Sequence, residues 1–167
     1  MSLHEDMRLG RRGLLLLPLA LAACGFSPAY GPSGPARALQ GSIHAADPVD
    51  KNGFDLVERI EQQFGPPDLP RYDLAYQIKV TSSGVGITPD NAITLYNLAG
   101  EVTWQLTSRA TGQALTGGMV QSFTTYSATG STVSGLTAED DAALRLMRIL
   151  ADQIAQRIVA TSGGWVE

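Results

Sequence analysis

The residue whose position most clearly predicts chemistry is Cys24, the single cysteine of this chain. It stands directly after an apolar run of eleven residues, 13–23, which three arginines precede: Arg8, Arg11 and Arg12. A basic segment, a short apolar segment and small residues before the cut describe a bacterial secretory signal. As a helix the run would be about 16 Å long, roughly half of a hydrocarbon core, so it is too short for a permanent membrane span.

The residues around the cut predict what happens to the thiol. The tetrapeptide Leu-Ala-Ala-Cys, residues 21–24, resembles a lipobox, in which the thiol is acylated and the cysteine becomes the mature N-terminus. We therefore expect residues 1–23 to be a signal peptide and Cys24 to be the lipid attachment site. A plain signal peptide followed by a chance cysteine is the alternative. Met7 is an alternative start, because it places Met-Arg-Leu-Gly-Arg-Arg before the apolar run.

Elsewhere the sequence lacks the residue spacing of a catalytic or metal site. It has no serine elbow, phosphate-binding loop, zinc-ligand pair or kinase signature. His44, the one histidine after the signal, is expected to be structural or solvent-facing. The acidic run at residues 139–141 is explained by the N-terminus of a helix, where negative charge is favourable. We expect no catalysis, no metal and no cofactor; a lipid-anchored hydrolase is the weakest alternative.

The charge balance excludes one class of partner. The chain has 12 basic and 16 acidic side chains, a net charge of −4. Residues 1–23 hold three of the basic and two of the acidic groups, so the mature chain has nine and fourteen, a net charge of −5. An acidic protein does not displace counterions from nucleic acid, and it does not adhere to anionic membranes by charge alone. Membrane contact is therefore expected through the N-terminal lipid.

The mature chain is long enough for one domain with one core. Eight of residues 25–36 are Gly, Pro or Ser, which disfavours helix and central strand. We interpret residues 24–36 as a tether, residues 37–162 as a single domain and residues 163–167 as a tail. Within the domain, residues 37–46 alternate weakly and predict a first strand.

Two amphipathic helices are predicted. Asn52 can cap the first, Asp47 and Asp50 flank Pro48 as turn and cap residues, and a Gly-Pro-Pro sequence from Gly65 ends it. Its apolar stripe is Phe54, Val57, Ile60 and Phe64. The second helix is expected to follow a loop over 127–136, to begin with the Thr137 hydroxyl as cap and to end at 162–164. Its apolar stripe is Ala143, Met147, Leu150, Ile154 and Ile158.

Three further strands are predicted from period-two alternation. The clearest covers 72–81, with one apolar face formed by Tyr72, Leu74, Tyr76, Ile78 and Val80. An irregular turn or bulge over 82–86 follows, then a long strand over 92–108, a turn over 110–113 and a strand over 114–126. Tyr96 and Trp104 of the long strand are expected in the core. The opposite faces are rich in Thr, Ser and Gln, which suits hydrogen-bonded docking better than an enzyme pocket.

The element order is therefore β-α-β-β-β-α. Three strands joined by short turns form an antiparallel meander, and the first strand joins it through a helical crossover, which makes one pair parallel. Two amphipathic helices need one apolar surface, and one face of a four-stranded sheet supplies it. The predicted fold is an α+β two-layer sandwich, with two helices packed on one face of a four-stranded mixed sheet.

Several short motifs, in their order along the chain, resemble the LptE family of lipopolysaccharide-assembly lipoproteins. The family start is similar to Leu-Ala-Ala-Cys-Gly-Phe-Ser-Pro-Ala-Tyr-Gly at 21–31. Tyr-Asn-Leu at 96–98 and Ala-Thr-Gly followed by Leu-Thr-Gly-Gly within 110–118 match its middle. A Ser-Phe-x-x-Tyr strand end at 122–126 and Ala-Glu-Asp-Asp at 138–141 match its end.

The resemblance implies an outer-membrane lipoprotein that plugs a large β-barrel lipopolysaccharide translocon in a 1:1 complex, assists its assembly and can bind lipopolysaccharide. Gly25, in place of an Asp retention signal, favours the outer membrane. A periplasmic lipid-binding carrier lipoprotein is the alternative.

Partner-binding residues are expected in the turn before the long strand and the loop before the last helix: Thr88, Pro89, Asp90, Asn91, Tyr126, Ala128 and Thr132. The turn over 111–113 is a lesser candidate, expected at the same end of the sheet. The segments 88–91 and 126–138 contain no Lys or Arg, unlike the enterobacterial members whose basic groups there are thought to meet lipid A phosphates.

Overall fold

The computed structural model describes Gly31 and residues 34–87, 93–129 and 131–166. The predicted signal peptide, Cys24 and the tether up to Tyr30 lie outside the described residues. The elements, in chain order, are α1 (Pro35–Ala38), β1 (Ile43–Ala45), α2 (Lys51–Phe64), β2 (Tyr72–Ile87), β3 (Ile93–Ser108), β4 (Ala114–Ser127) and α3 (Thr132–Ser162). In the described part of the chain, no helix has the length and apolar character needed to cross a membrane.

The four strands form one mixed sheet in the order β1-β2-β3-β4. β1 pairs with β2 in parallel, with Ile43 opposite Tyr72, whereas β2–β3 and β3–β4 are antiparallel. The parallel pair follows from the crossover through α2, because a helix returns the chain to the same end of the sheet. This confirms the predicted α+β fold with a four-stranded mixed sheet, to which the structure adds the short helix α1.

The core lies between one sheet face and the helices. On β3 the alternation buries Leu98, Val102, Trp104 and Leu106, as expected from the period of two. Tyr96, also expected in the core, is half-buried. α3 packs on β3 and β4 and also against α2, and it buries ten residues along its length. The predicted stripe of α3 is buried except for Ala143, which is half-buried.

The start and the buried face of α2 differ from expectation. The helix is capped by Asp50, not by Asn52. The Asp50 carboxylate accepts a hydrogen bond from the Gly53 backbone N–H, which has no partner within the helix, at 2.7 Å. The buried positions include Leu56, Ile60 and Phe64, whereas Phe54 is 60% exposed. The predicted stripe was wrong at Phe54 because 54 and 57 lie on the edge of the apolar face, and Leu56 occupies its centre.

The start of α3 was also predicted wrongly. The helix begins at Thr132, with the Ser131 hydroxyl accepting the Ser134 N–H, so most of the expected 127–136 loop is helical. The Thr137 hydroxyl donates to the Val133 carbonyl inside the helix at 3.0 Å and caps nothing. The acidic run 139–141 therefore lies in about the third turn, beyond the reach of the terminal dipole.

Two strand boundaries need correction. Only residues 43–45 of the expected first strand are extended, since Pro35 opens the short helix α1 and Leu39 is buried in the turn after it. Residues 82–86 do not form a turn, because β2 runs through them to Ile87. The expected bulge is present, as register shifts at Gly84–Gly86 and Gly86–Ile87.

Candidate partner-binding surface

The two ends of the sheet differ in what they carry. We call distal the end where β2 finishes at Ile87 and β3 begins, and where Leu95 lies opposite Ser127 of β4. We call proximal the end where Tyr72 lies opposite Ser108 and where β1 pairs. Sixteen residues of β2 separate the ends, a span of about 50 Å at strand rise. Because β1 pairs with Tyr72 to Leu74, the chain joins the sheet at the proximal end.

The structure brings only some of the expected partner-binding residues together. Ala128 and Thr132 lie at the distal end, where the Ala128 N–H donates to the Thr94 carbonyl at 3.0 Å. The turn 88–91, with Thr88, Pro89, Asp90 and Asn91, lies outside the described residues. The turn 111–113 connects β3 to β4 at the proximal end, so it was placed at the wrong end of the sheet.

Tyr126 belongs to the core rather than to the surface. Its side chain is 8% exposed. The ring stacks on Tyr96 with centroids 5.3 Å apart and planes inclined by 11°. Two residues earlier on the same face of β4, the Thr124 hydroxyl donates to the Ala142 carbonyl at 2.9 Å and links β4 to α3. Tyr126 therefore packs within the core at the distal end, and its contact with a partner stays a prediction.

The distal surface is apolar, which sequence reasoning missed by expecting polar turns. Five aliphatic side chains are exposed there: Val85, Ile93, Leu95, Val133 and Leu136. Residues 122–138 contain no charged side chain, and residues 80–100 contain only Asp90. The signal was available in the sequence as apolar residues without a clear period, but those residues could not be assigned to one surface before the hairpin and α3 were placed together.

Glycines shape this surface. A Cβ at Gly84 would lie 2.7 Å from Ile93 Cγ2, and a Cβ at Gly86 would lie 2.9 Å from Leu95 Cβ. Both distances are shorter than carbon atoms tolerate. Glycine at these two positions therefore lets the side chains of Ile93 and Leu95 lie close against β2 near the bulge.

The exposed sheet face carries an open groove of about 450 Å³. Lys79, Thr81, Asn97, Glu101 and Phe123 are among its lining residues, and the Gln121 amide donates to Glu101 at 2.8 Å. Phe123 is 66% exposed, and Asn97 Oδ1 is buried without a hydrogen-bond partner among the described residues. These groups can donate, accept and stack. Among the described residues, no group of three or more His, Cys, Asp or Glu could hold a metal ion.

The proximal end carries charged pairs. Asp73 Oδ1 lies 3.3 Å from His44 Nδ1 and accepts from Arg109 Nε at 2.7 Å. His44 and Asp73 are also register partners across β1 and β2. This contact links the short first strand to the sheet, which accounts for His44 as a structural residue.

Comparisons with known proteins agree on family and fold. The model of a family described as LptE, Lipopolysaccharide-assembly, matches residues 41–158. No curated protein matches this sequence. Three similar solved structures show the same fold at low sequence identity, and at such identities the likeness concerns the fold alone.

A candidate lipoprotein of Caulobacter crescentus CB15 has 18% identity and a TM-score of 0.66, and the match covers 80% of this chain and 99% of that one. The rare lipoprotein B of Shewanella oneidensis has 13% identity and a TM-score of 0.55, over 74% and 96% of the two chains. A minor lipoprotein of Acinetobacter baumannii has 17% identity and a TM-score of 0.52, over 71% and 89%.

Proposed function

Because this chain belongs to the LptE lipopolysaccharide-assembly family, we propose that it is a lipoprotein that acts in lipopolysaccharide assembly by plugging a β-barrel translocon. The distal end of the domain would enter the barrel. Acylated Cys24 would hold the proximal end at the outer membrane through the tether 24–36, after removal of residues 1–23. The domain 37–162 and the tail 163–167 would make up the rest of the mature protein.

The observation that carries this proposal is the separation of two unlike ends. The chain joins the sheet at the proximal end, next to the ion pairs of Asp73, whereas the uncharged aliphatic surface lies about 50 Å away. A lipid-anchored domain can therefore present the distal surface to a partner while its anchor stays in the membrane. Exposed aliphatic side chains bordered by Ser, Thr and Gly residues are typical of protein-binding surfaces.

The chemistry of the distal end also limits the proposal. Its described residues offer hydroxyl groups and aliphatic surface but no cation, so the proposal does not include contact with lipid A phosphates there. The proposed plug role requires no catalysis. The lipid carrier considered as an alternative would hold acyl chains in an enclosed apolar cavity, whereas the groove on the exposed sheet face is open and has Lys79, Glu101 and Gln121 among its lining residues.

Co-purification tests the proposal. The full-length protein, tagged at its C-terminus, would be expressed in a Gram-negative host that carries its own barrel, and membranes would be extracted with a mild detergent. We expect one large β-barrel protein per copy of this chain. Recovery of bound lipid without any barrel would contradict the proposal and support the carrier.

A further inference from the structure

The outer edge of β2 is open beyond the end of β1. The Tyr72 N–H donates to the Ser42 carbonyl at 3.0 Å, and the Leu74 carbonyl accepts from the Ala46 N–H at 2.9 Å. Even-numbered residues of β2 therefore direct their backbone groups away from β3, and the period of two carries this pattern along the strand. β1 ends at Ala45, opposite Leu74.

Four residues continue the pattern without a partner: Tyr76, Ile78, Val80 and Ser82. Within the described part of the chain, no hydrogen bond reaches the outward N–H or C=O group of any of the four. The bulge at Gly84 ends this stretch, which we call the free edge.

The opposite edge of the sheet is covered. On β4, Arg157 Nη1 donates to the Met119 carbonyl at 2.7 Å and Gln153 Nε2 donates to the Gln121 carbonyl at 3.4 Å. α3 thus satisfies outward carbonyls of β4 with its own side chains. Natural proteins usually cover or blunt an exposed edge strand, because such an edge pairs readily with another chain. Among the described residues, none of the three helices forms a hydrogen bond with the free edge of β2.

A groove of about 460 Å³ runs beside the free edge. One wall contains Val49, which precedes α2, and Gly53 in the first turn of α2; the other contains Tyr76, Ile78 and Lys79. Val49 is 97% exposed, so an apolar side chain lies open beside the unpaired backbone. The Tyr76 hydroxyl is buried there without a partner among the described residues. Unpaired backbone groups and an exposed apolar side chain are what an added strand can use.

We propose that the free edge binds an extended segment of the partner barrel protein by β-strand addition. This inference rests on the proposed function and names how that partner is held. The segment would pair with Tyr76, Ile78, Val80 and Ser82, and it would carry an acidic side chain opposite Lys79. The free edge leads toward the distal end, so the pairing continues the surface proposed to enter the barrel.

Lys79 argues for a different chain rather than a second copy. If two copies paired antiparallel through all four outward residues, Tyr76 would face Ser82 and Lys79 would face Lys79 of the other copy. Cα atoms at such a position are about 4.5 Å apart, and like charges directly opposite each other are destabilising. Lys79 has Glu101 as its register partner on β3, and an acidic residue on the added strand would place a second carboxylate on its other side.

Residue-resolved hydrogen exchange tests the pairing. In the protein alone, the amides of Ile78, Val80 and Ser82 should exchange quickly, whereas those of Gln77, Lys79 and Thr81, which face β3, should be protected. In the detergent-extracted complex with the barrel, exchange of the outward amides should slow by about tenfold or more. The loss of this alternation on complex formation is specific to strand pairing.

A matched pair of variants adds an independent readout. Ser82→Pro removes one outward N–H at an exposed position, and proline is tolerated on the open side of an edge strand. Ser82→Ala keeps the N–H and is the control. We expect barrel recovery to fall by about fivefold in Ser82→Pro, the effect of one lost hydrogen bond, and to stay unchanged in Ser82→Ala. Thermal melting of both variants checks the fold, and Lys79→Gln should lower recovery even if Ser82→Pro melts early.

The outcomes separate the two proposals. A recovered barrel with outward amides that still exchange quickly would overturn strand addition and leave the plug role standing. Failure to recover any barrel would overturn both. A homodimer with protected outward amides would overturn the choice of occupant.

Discussion

The guanidinium of Arg59 on α2 donates two hydrogen bonds to the carboxylate of Asp152 on α3, from Nε to Oδ1 at 2.8 Å and from Nη2 to Oδ2 at 3.1 Å. The Gln63 amide, one turn further along α2, also donates to Asp152 at 2.9 Å. The hydrogen bond and the charge of Asp152 raise the pKa of Arg59 above its usual value, although burial opposes them. Asp152 therefore receives three bonds from one neighbouring helix and fixes how α2 lies against α3.

Asp152→Ala should lower the free energy of unfolding by about 1 kcal/mol, because the two ionic side chains are each about a third exposed and solvent screens them. Urea denaturation of the protein measures this change. Asp141→Ala is the control, since the one ion pair of Asp141 among the described residues is with Arg145, one turn away on the same exposed helix surface. We expect that control to change stability by less than about 0.5 kcal/mol. Equal losses in the two variants would show that the bidentate pair does not join the helices.

Tyr76→Phe should leave stability at neutral pH unchanged or raise it by up to about 1 kcal/mol. The Tyr76 hydroxyl is buried without a partner among the described residues, so its removal relieves a desolvated polar group. Urea denaturation at pH 7 gives the comparison. A loss of more than about 1 kcal/mol would mean that the hydroxyl is bonded in solution.

The same variant should change the response to alkaline pH. Burial, and then the charges of Asp50 and Asp47, raise the pKa of Tyr76 above its ordinary value of 10.0. As the pH rises, the Tyr76 phenol ionises in the unfolded chain before it ionises in the folded protein. The stability linked to the neutral phenol is therefore fully present below pH 10 and is lost as the pH rises from there through the folded-state pKa. The free energy of unfolding should therefore fall more steeply above pH 10 in the wild type than in Tyr76→Phe. Parallel curves would contradict the raised pKa.

Gly100→Val should destabilise the domain by about 1–3 kcal/mol through overpacking. A Cβ at Gly100 would lie 2.9 Å from both Leu146 Cδ2 and Leu150 Cδ1, where α3 crosses β3. Ala99→Val adds similar bulk on the opposite face of the same strand and should change stability by less than about 0.5 kcal/mol. Thermal melting of both variants tests the difference. A Gly100→Val protein as stable as the wild type would show that α3 can shift away from the sheet.

The sheet could be predicted from the sequence because apolar and polar residues alternate along a strand that has one buried face and one solvent-exposed face. Residues Tyr72 to Val80 and Leu98 to Leu106 have the expected faces in the structure, and the parallel pairing of β1 followed from chain order alone. The family could be predicted because motifs that are weak singly occur in a fixed order.

What could not be predicted depends on competition between local signals. Ser131 and Thr137 both carry a hydroxyl group that can cap a helix, so sequence alone does not say which one does. Phe54 is apolar and at helical spacing, yet it lies outside the contact that Leu56 makes. The distal surface combines Val85 on β2 with Val133 on α3, and only the tertiary arrangement shows that residues so distant in sequence share one end.

Cys24→Ala should abolish acylation and prevent cleavage by the lipoprotein signal peptidase. The expectation follows from the Leu-Ala-Ala-Cys sequence, in which the thiol is the only group available for thioether formation. Because the proposed plug is also held by a protein interface, function should survive in part. Metabolic labelling with a fatty acid gives the answer, and continued labelling of Cys24→Ala would rule out this cysteine as the attachment site.

Val133→Asp should weaken barrel recovery by about tenfold, the effect of losing one aliphatic contact and desolvating a charge at the distal surface. The fold should tolerate the change, since Val133 is 73% exposed and lies in the first turn of α3, where a carboxylate is favourable. Leu69→Asp is the matched control, because Leu69 is 78% exposed and lies at the proximal end beside Gly41. Recovery measured from equal amounts of folded protein should fall for Val133→Asp and stay near the wild-type level for Leu69→Asp. The reverse order would mean that the proximal end, rather than the distal end, meets the barrel.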